Sequence, residues 1–235
     1  MEFYFVLVEP KVPENIGASA RAIKTMGFSK LRLVNNDMHL SDKARWVAHG
    51  SEDILRNTKI FESLEDAIAD MDLTIGTAAK KRSVKFDSYS VREITGIIKS
   101  KRKSIQNTAI VFGREESGLT NNELKLCDIV STIPMKTKYP SINLAQAVML
   151  YAYTLSEFTL EKISVDSALK DPKSYTELKK KVVCILQSLN IEKDSAKFNR
   201  IMERIRILGD DDIHLMHSVC NEILKISKHP RHSVT

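Results

Sequence analysis

The sequence predicts an α/β fold: a parallel sheet covered by helices on both faces, followed by a small all-α extension. Three observations carry this. Apolar strand-like runs alternate with helix-patterned segments through the first two thirds of the chain, as in a parallel sheet with crossover helices. Three of the junctions are rich in Gly, Asn or Pro and fused to the end of an apolar run. They are Pro13-Glu14-Asn15-Ile16-Gly17-Ala18-Ser19-Ala20-Arg21, Phe112-Gly113-Arg114-Glu115-Glu116-Ser117-Gly118-Leu119, and Ile133-Pro134-Met135 leading to Tyr139-Pro140-Ser141-Ile142-Asn143-Leu144-Ala145-Gln146-Ala147-Val148. Ligands of open α/β sheets bind beyond the carboxyl ends of strands, so three such junctions predict one composite site. Beyond a polar stretch at 164–174, only helical spacing is left.

In order along the chain, residues 3–9 read as a strand, and Asn15 to Met26 as a helix with small residues at 18 and 20, stopped by Gly27. Lys30 to Val34 is a second strand. Trp46 sits in a mixed, helix-bearing loop, and Ile60-Phe61 is a short strand. Ser63 to Asp66 has the spacing of a capping box at a helix start. Asp72 to Thr77 is a strand, Val91 to Ile98 a helix, and Thr108 to Phe112 a buried strand. Thr120 and Glu123 form a second capping box, Ile129 to Ile133 the last strand, and Asn143 caps a long helix reaching about Lys162. Asp171-Pro172 breaks the polar stretch, which divides the chain into residues 1–163 and 164–235. The second part carries three helical stripes: Leu178 to Leu189, Phe198 to Leu208 and Ile213 to Leu224.

The 235 residues suffice for one α/β domain and an appendage, and 43% hydrophobic with 28% charged residues is the balance of a soluble globular chain. No apolar run approaches the roughly 18 residues of a membrane span. The N-terminal residues lack a basic stretch and a small-residue cleavage site, so a cytoplasmic enzyme without a membrane partner is expected. Cys127, Cys184 and Cys220 are far apart without a CxxC, and the six His have no suitably spaced partners, so no metal site is expected. The net charge of +6 is compatible with a polyanionic partner. Lys80-Lys81-Arg82, Lys99 to Lys103 and Lys228 to Arg231 are local clusters, equally readable as solvated surface.

The junctions carry the chemistry. Apolar 109–112 runs into Gly113, which allows a ligand, or packed chain, to approach the strand end without a side chain in the way. There is no GxGxxG and no GK[ST], so a dinucleotide or triphosphate cofactor is not expected. Pro134 and Pro140 stiffen a loop, and Ser141 and Asn143 bring short polar side chains to a helix start, as caps or as ligand contacts. Arg21 lies one turn beyond Gly17 on the same helix face, as a phosphate or carboxylate fork or as a surface ion-pair partner.

Taken together, N-x-G with an Arg four residues on, F-G-x-E-x-x-G-L, and I-P-M…Y-P-S-x-N-L-A-Q-A-V resemble the SpoU branch of the SPOUT RNA 2′-O-methyltransferases. Within that branch the chain looks most like the enzymes that methylate cytidine or uridine at nucleotide 32 of the tRNA anticodon loop. The resemblance covers roughly residues 3–160, and the helical tail resembles the C-terminal extension of those enzymes less closely. It implies a deep trefoil knot in the C-terminal part of the sheet domain, an exception to the rule against threaded chains. It implies S-adenosylmethionine as methyl donor on Thr77, Ala78, Gly113, Ile133, Met135, Ser141 and Leu144. The catalytic positions carried over are Asn15, Arg21, Glu115, Ser141 and Asn143, and RNA contact is expected at Arg21, Lys80, Lys81 and Arg82. It implies a homodimer whose site joins Arg21 of one subunit to the knot of the other. Two roles for Arg21 stay open, a base of strongly lowered pKa or a phosphate clamp, because an isolated guanidinium stays protonated. Methylation of ribosomal RNA or of another tRNA position, and a non-catalytic RNA-binding module, are the competing readings.

Overall fold

The computed structural model describes residues 1–79, 88–137, 141–160, 174–193 and 195–228. Its contacts divide it into two compact units, Met1–Gly96 with Asn107–Ser167, and Ile97–Gln106 with Ala168–Thr235. Residues 97–106 group by their contacts with the second unit.

In chain order the first unit begins with β1 (Glu2–Val8), α1 (Pro13–Thr25), β2 (Lys30–Val34), a 3-10 turn (Met38–Leu40), α2 (Asp42–Val47) and α3 (Glu52–Arg56). It continues with β3 (Lys59–Phe61), α4 (Leu64–Ile68), β4 (Leu73–Ala78), β5 (Ser88–Ser90), α5 (Val91–Ser100), whose residues from Ile97 on group with the second unit, and β6 (Asn107–Phe112). Then come α6 (Asn121–Leu126), β7 (Ile129–Thr132), α7 (Leu144–Leu155) and α8 (Glu157–Leu160). The described strands form one seven-stranded sheet in the order β3-β2-β1-β6-β4-β7-β5. Every pairing is parallel. The carboxyl ends of β4, β6 and β7 therefore lie along one edge of the sheet, the edge where parallel sheets bind ligands.

Both sheet faces are covered, which is why the strands read as apolar runs rather than as alternation. One face packs Val6, Val8, Ala109, Val111 and Val130 against Leu64, Ala67 and Ile68 of α4 and Leu124 of α6. On the other face the Phe5 ring lies 5.3 Å from Phe28 and 6.3 Å from Phe112, and Phe112 meets Tyr151 of α7 edge to face at 5.4 Å. Ser63 caps α4 through its hydroxyl, which accepts from the Asp66 amide at 3.1 Å. Thr120 and Glu123 make the expected reciprocal box at α6. The long helix expected from Asn143 to Lys162 is broken at Ser156 into α7 and α8, and residues 161 and 162 lie outside the described ones. Val148, Tyr151, Ala152 and Leu155 of α7 are all buried within the one chain.

The second unit contains α9 (Ser174–Ser188), α10 (Ala196–Arg206) and α11 (Asp210–Lys228). The Lys99 to Lys103 cluster is not a uniform basic patch. Lys101 is fully buried, its Nζ donates to the Leu208 carbonyl, and it lies 4.4 Å from the centre of the Tyr175 ring. No described helix is long and apolar enough to cross a membrane, and no group of His, Cys, Asp and Glu suited to a metal occurs among the described residues.

Candidate active site

The three motif stretches meet through a single chain of hydrogen bonds. Helix α1 opens with Pro13 and has no side-chain cap of its own. Glu115 serves instead: its carboxylate accepts from the Lys11 amide at 3.0 Å and from the Val12 amide at 3.2 Å, at the positive end of the helix. The same carboxylate accepts from Asn15 Nδ2 at 2.9 Å, and Asn15 Oδ1 accepts from Asn143 Nδ2 at 2.7 Å. Asn143 Oδ1 then accepts from the amides of Ala145 and Gln146, at 2.9 and 3.3 Å, and so caps α7. Asn15 is 7% exposed, so its amide has little access to water and is held by these two partners. Burial works against the charge on Glu115, but the Lys11 amide, the Asn15 side chain and the Val12 amide outweigh it and hold its carboxyl below the usual range.

Beside this chain a cavity of about 660 Å³ opens at the carboxyl ends of β4, β6 and β7, a volume ordinary for a small-molecule site. Thr77, Ala78, Gly113, Ile133, Met135, Ser141 and Leu144 all line it, as does Glu115. Phe112, Leu119, Ala147 and Tyr151 add apolar wall that the motif reading did not single out. Tyr151 lies two helical turns beyond Leu144, the spacing that could have revealed it. Its hydroxyl donates to Ser131 Oγ at 2.9 Å, and burial pushes its pKa up.

Of the two readings of Gly113, the structure supports packed chain. A Cβ there would come within 2.1 Å of the Gly118 carbonyl carbon and 2.2 Å of the Leu119 amide nitrogen. The missing side chain makes room for the chain's own returning loop, which bridges Arg114 to Gly118. Arg114 anchors that loop. Its guanidinium meets Glu9 at 2.7 Å and Glu123 at 3.1 Å. The bonds to Glu9 and then Glu123 raise the Arg114 pKa further, and Arg114 holds the Glu9 carboxyl low. Burial opposes the charge on Glu123, but the bond from Arg114 and those from Thr120 bring its pKa down.

Asn15, Arg21 and Asn143 do not line the cavity. Arg21 is exposed on α1, outside it. The helix faces a neighbour closely at Gly17, where a Cβ would fall 1.9 Å from the Ala44 carbonyl oxygen of α2. Lys80, Lys81, Arg82, Tyr139 and Pro140 lie outside the described residues.

Similar proteins are named as methyltransferases. The model of the SpoU rRNA Methylase family matches residues 2–153, and that of the C-terminal domain of the tRNA/rRNA methyltransferase LasT matches 172–226. An Escherichia coli (strain K12) protein named as an uncharacterized tRNA/rRNA methyltransferase LasT is 39% identical over 96% of this chain and 98% of its own length. The tRNA (cytidine/uridine-2′-O-)-methyltransferase TrmJ of Pectobacterium atrosepticum is 38% identical over 67% of this chain, and the match spans 65% of that relative. Among solved structures, a probable methylase family protein from Haemophilus influenzae superposes with a TM-score of 0.65 at 28% identity, covering 96% of this chain and 97% of its own. The fold is also that of the SpoU methyltransferase AviRb from Streptomyces viridochromogenes in complex with AdoMet, with a TM-score of 0.54 at 23% identity over 68% of this chain and 61% of that one. With a family model covering well over half of its length, the chain belongs to the SpoU methylase family.

Proposed function

We propose that the protein transfers a methyl group from S-adenosylmethionine to a ribose 2′-hydroxyl of tRNA, at nucleotide 32 of the anticodon loop, as a cytoplasmic homodimer. The observation that carries this is the convergence of all seven expected cofactor residues on one cavity beside the Glu115–Asn15–Asn143 chain. Held on Thr77, Ala78, Gly113, Ile133, Met135, Ser141 and Leu144, the cofactor would supply a methyl on a positively charged sulfur to a ribose 2′-oxygen whose proton passes to solvent. The cavity suits that group: Phe112, Leu119, Ile133 and Tyr151 offer apolar wall, and Glu115, kept ionised, offers negative charge. Asn15 and Asn143 hold Glu115 and the start of α7 in fixed relation, which is preorganisation of the site. Ser141, exposed at the cavity lip, stands where a ribose can be oriented.

Arg21, exposed and outside the cavity of its own chain, is read as reaching the site of a second subunit. Leu150 and Tyr153 on α7, and Leu160 on α8, are 42%, 67% and 79% exposed and give that second subunit an apolar surface to cover. Residues 1–163 form the catalytic domain in this reading, with the knot that the motif resemblance implies, and 164–235 form the helical extension. Lys80, Lys81 and Arg82 are assigned to phosphate contact.

A second reading, 2′-O-methylation of ribosomal RNA, is favoured by the end-to-end match to a relative whose name carries both tRNA and rRNA. The test is incubation of the full chain with methyl-labelled S-adenosylmethionine and total tRNA or total rRNA, followed by mapping of the modified ribose. Label at the 2′-oxygen of nucleotide 32 is the expected result. Label on rRNA selects the second reading, and label on a base nitrogen or carbon rejects both.

A further inference from the structure

The chain's single tryptophan stands almost fully in solvent: Trp46, on α2, is 78% exposed, whereas tryptophan is on average highly buried. The exposure follows from how α2 is fastened. Ala44 is buried, its carbonyl oxygen and Val47 Cγ2 crowd Gly17 of α1, and the Ser41 hydroxyl caps the other end. Residues two apart on a helix point about 200° apart, so seating Ala44 against α1 turns Trp46 outward. The indole has no ring or cation contact among the described residues. Lys43 and Arg45 flank it, both exposed. Arg21 lies on α1 one turn beyond Gly17, where α2 packs, and it too is exposed. Among the described residues these three cations make no ion pair, and the acid of α2 is Asp42 in its first turn.

A rigidly mounted, solvent-facing indole among unpaired cations matches the chemistry of single-stranded RNA, in which a base stacks on an aromatic ring and cations take the adjoining phosphates. A protein partner would leave Lys43, Arg45 and Arg21 to be desolvated without acids, a cost that phosphates remove. We propose that the α1–α2 surface is a platform for an unpaired segment of the RNA, with Trp46 stacked on a base and Lys43, Arg45 and Arg21 on neighbouring phosphates. The proposal rests on the RNA-methylation reading and adds to it a recognition surface outside the cofactor cavity.

Because Trp46 is the only tryptophan, the indole emission of the full chain reports on this ring alone. Unfractionated tRNA, total rRNA and a fully paired RNA duplex of about 16 base pairs are titrated against it, with filter retention measured in parallel. Quenching by tRNA or rRNA that saturates together with retention, and little quenching by the duplex, is the expected result. Trp46→Ala should weaken retention by about 5- to 150-fold, the effect of one lost stacked base, and Trp46→Phe should recover most of it. Full retention of tRNA or rRNA with unchanged emission and an unaffected Trp46→Ala variant would overturn the platform and leave the RNA reading standing. No retention of either RNA would reject both. A Trp46→Ala chain that turns from dimer to monomer by light scattering would assign the ring to a second copy and likewise overturn the platform.

Discussion

The Glu115 carboxylate accepts from two main-chain amides at the entry to α1 and from Asn15, so a single replacement removes a helix cap, a charge and a link to α7. Glu115→Gln keeps the shape but turns an amide group toward donors. Leaving one of those donors unsatisfied should cost about 1–3 kcal/mol of stability at pH 7 by urea unfolding, with a larger loss of methyl transfer. The pH dependence has a definite sign. A carboxyl whose native pKa is depressed adds stability above its unfolded value, about 4.3, and loses it as pH falls through the native value. The stability gap between wild type and Glu115→Gln should therefore be widest at neutral pH and close in acid; a gap constant down to pH 2 would remove Glu115 as the cause. Gly113→Val should lose cofactor binding in calorimetry together with thermal stability, because its Cβ meets the Gly118 backbone at 2.1 Å. Binding lost at an unchanged melting temperature would return that space to the ligand. The motif residues were legible because their spacing is local. The choice between ligand and packed chain at Gly113 was not, since the atoms it avoids lie across a folded loop. Arg114 stood in plain view within its motif, yet its partner Glu9 is 105 positions away, where no sequence period reaches.

At the scale of elements, caps were readable and some short pieces were not. Asn143, Thr120 and Ser63 each bond amides within three residues, a chemistry written into consecutive positions. β5, α3 and the 3-10 turn at Met38–Leu40 run to five residues or fewer and complete too little of a period to be recognised. The strand order β3-β2-β1-β6-β4-β7-β5 is likewise a non-local fact. Small residues at 17, 18 and 20 of α1 let a neighbour approach closely, and at Gly17 that neighbour is α2. This gives a prediction with two opposed terms. Gly17→Ala gains up to about 1 kcal/mol in helix propensity, but it places a methyl 1.9 Å from the Ala44 carbonyl oxygen, which α1 and α2 can relieve only by separating. Steric cost should win, lowering the melting temperature by several degrees and reducing methyl transfer through displacement of Asn15. A stabilised Gly17→Ala protein would mean that the two helices are not rigidly apposed.

For the whole molecule, the question is what one chain lacks. Its described part assembles a cavity, a carboxylate and two asparagines, while Arg21 faces solvent outside that cavity. The cations of the helical unit are also less free than their sequence suggests: Lys181 bonds Asn221 at 2.8 Å, Lys180 pairs with Glu177 and Arg200 with Glu203. In the proposed shared-site dimer a second catalytic unit supplies that guanidinium, and complementation tests this directly. Arg21→Ala spoils the donated guanidinium and leaves the cavity intact. Ser141→Trp fills the cavity from an exposed position and leaves Arg21 intact. Each chain expressed alone should be inactive. In a two-fold dimer with shared sites, co-expressed chains assort at random and half of the dimers are mixed. Each mixed dimer has one site with both defects and one with none, so activity should recover to about a quarter of wild type. The same mixture would stay inactive if Arg21 served the cavity of its own chain, since every site would then carry one defect or the other.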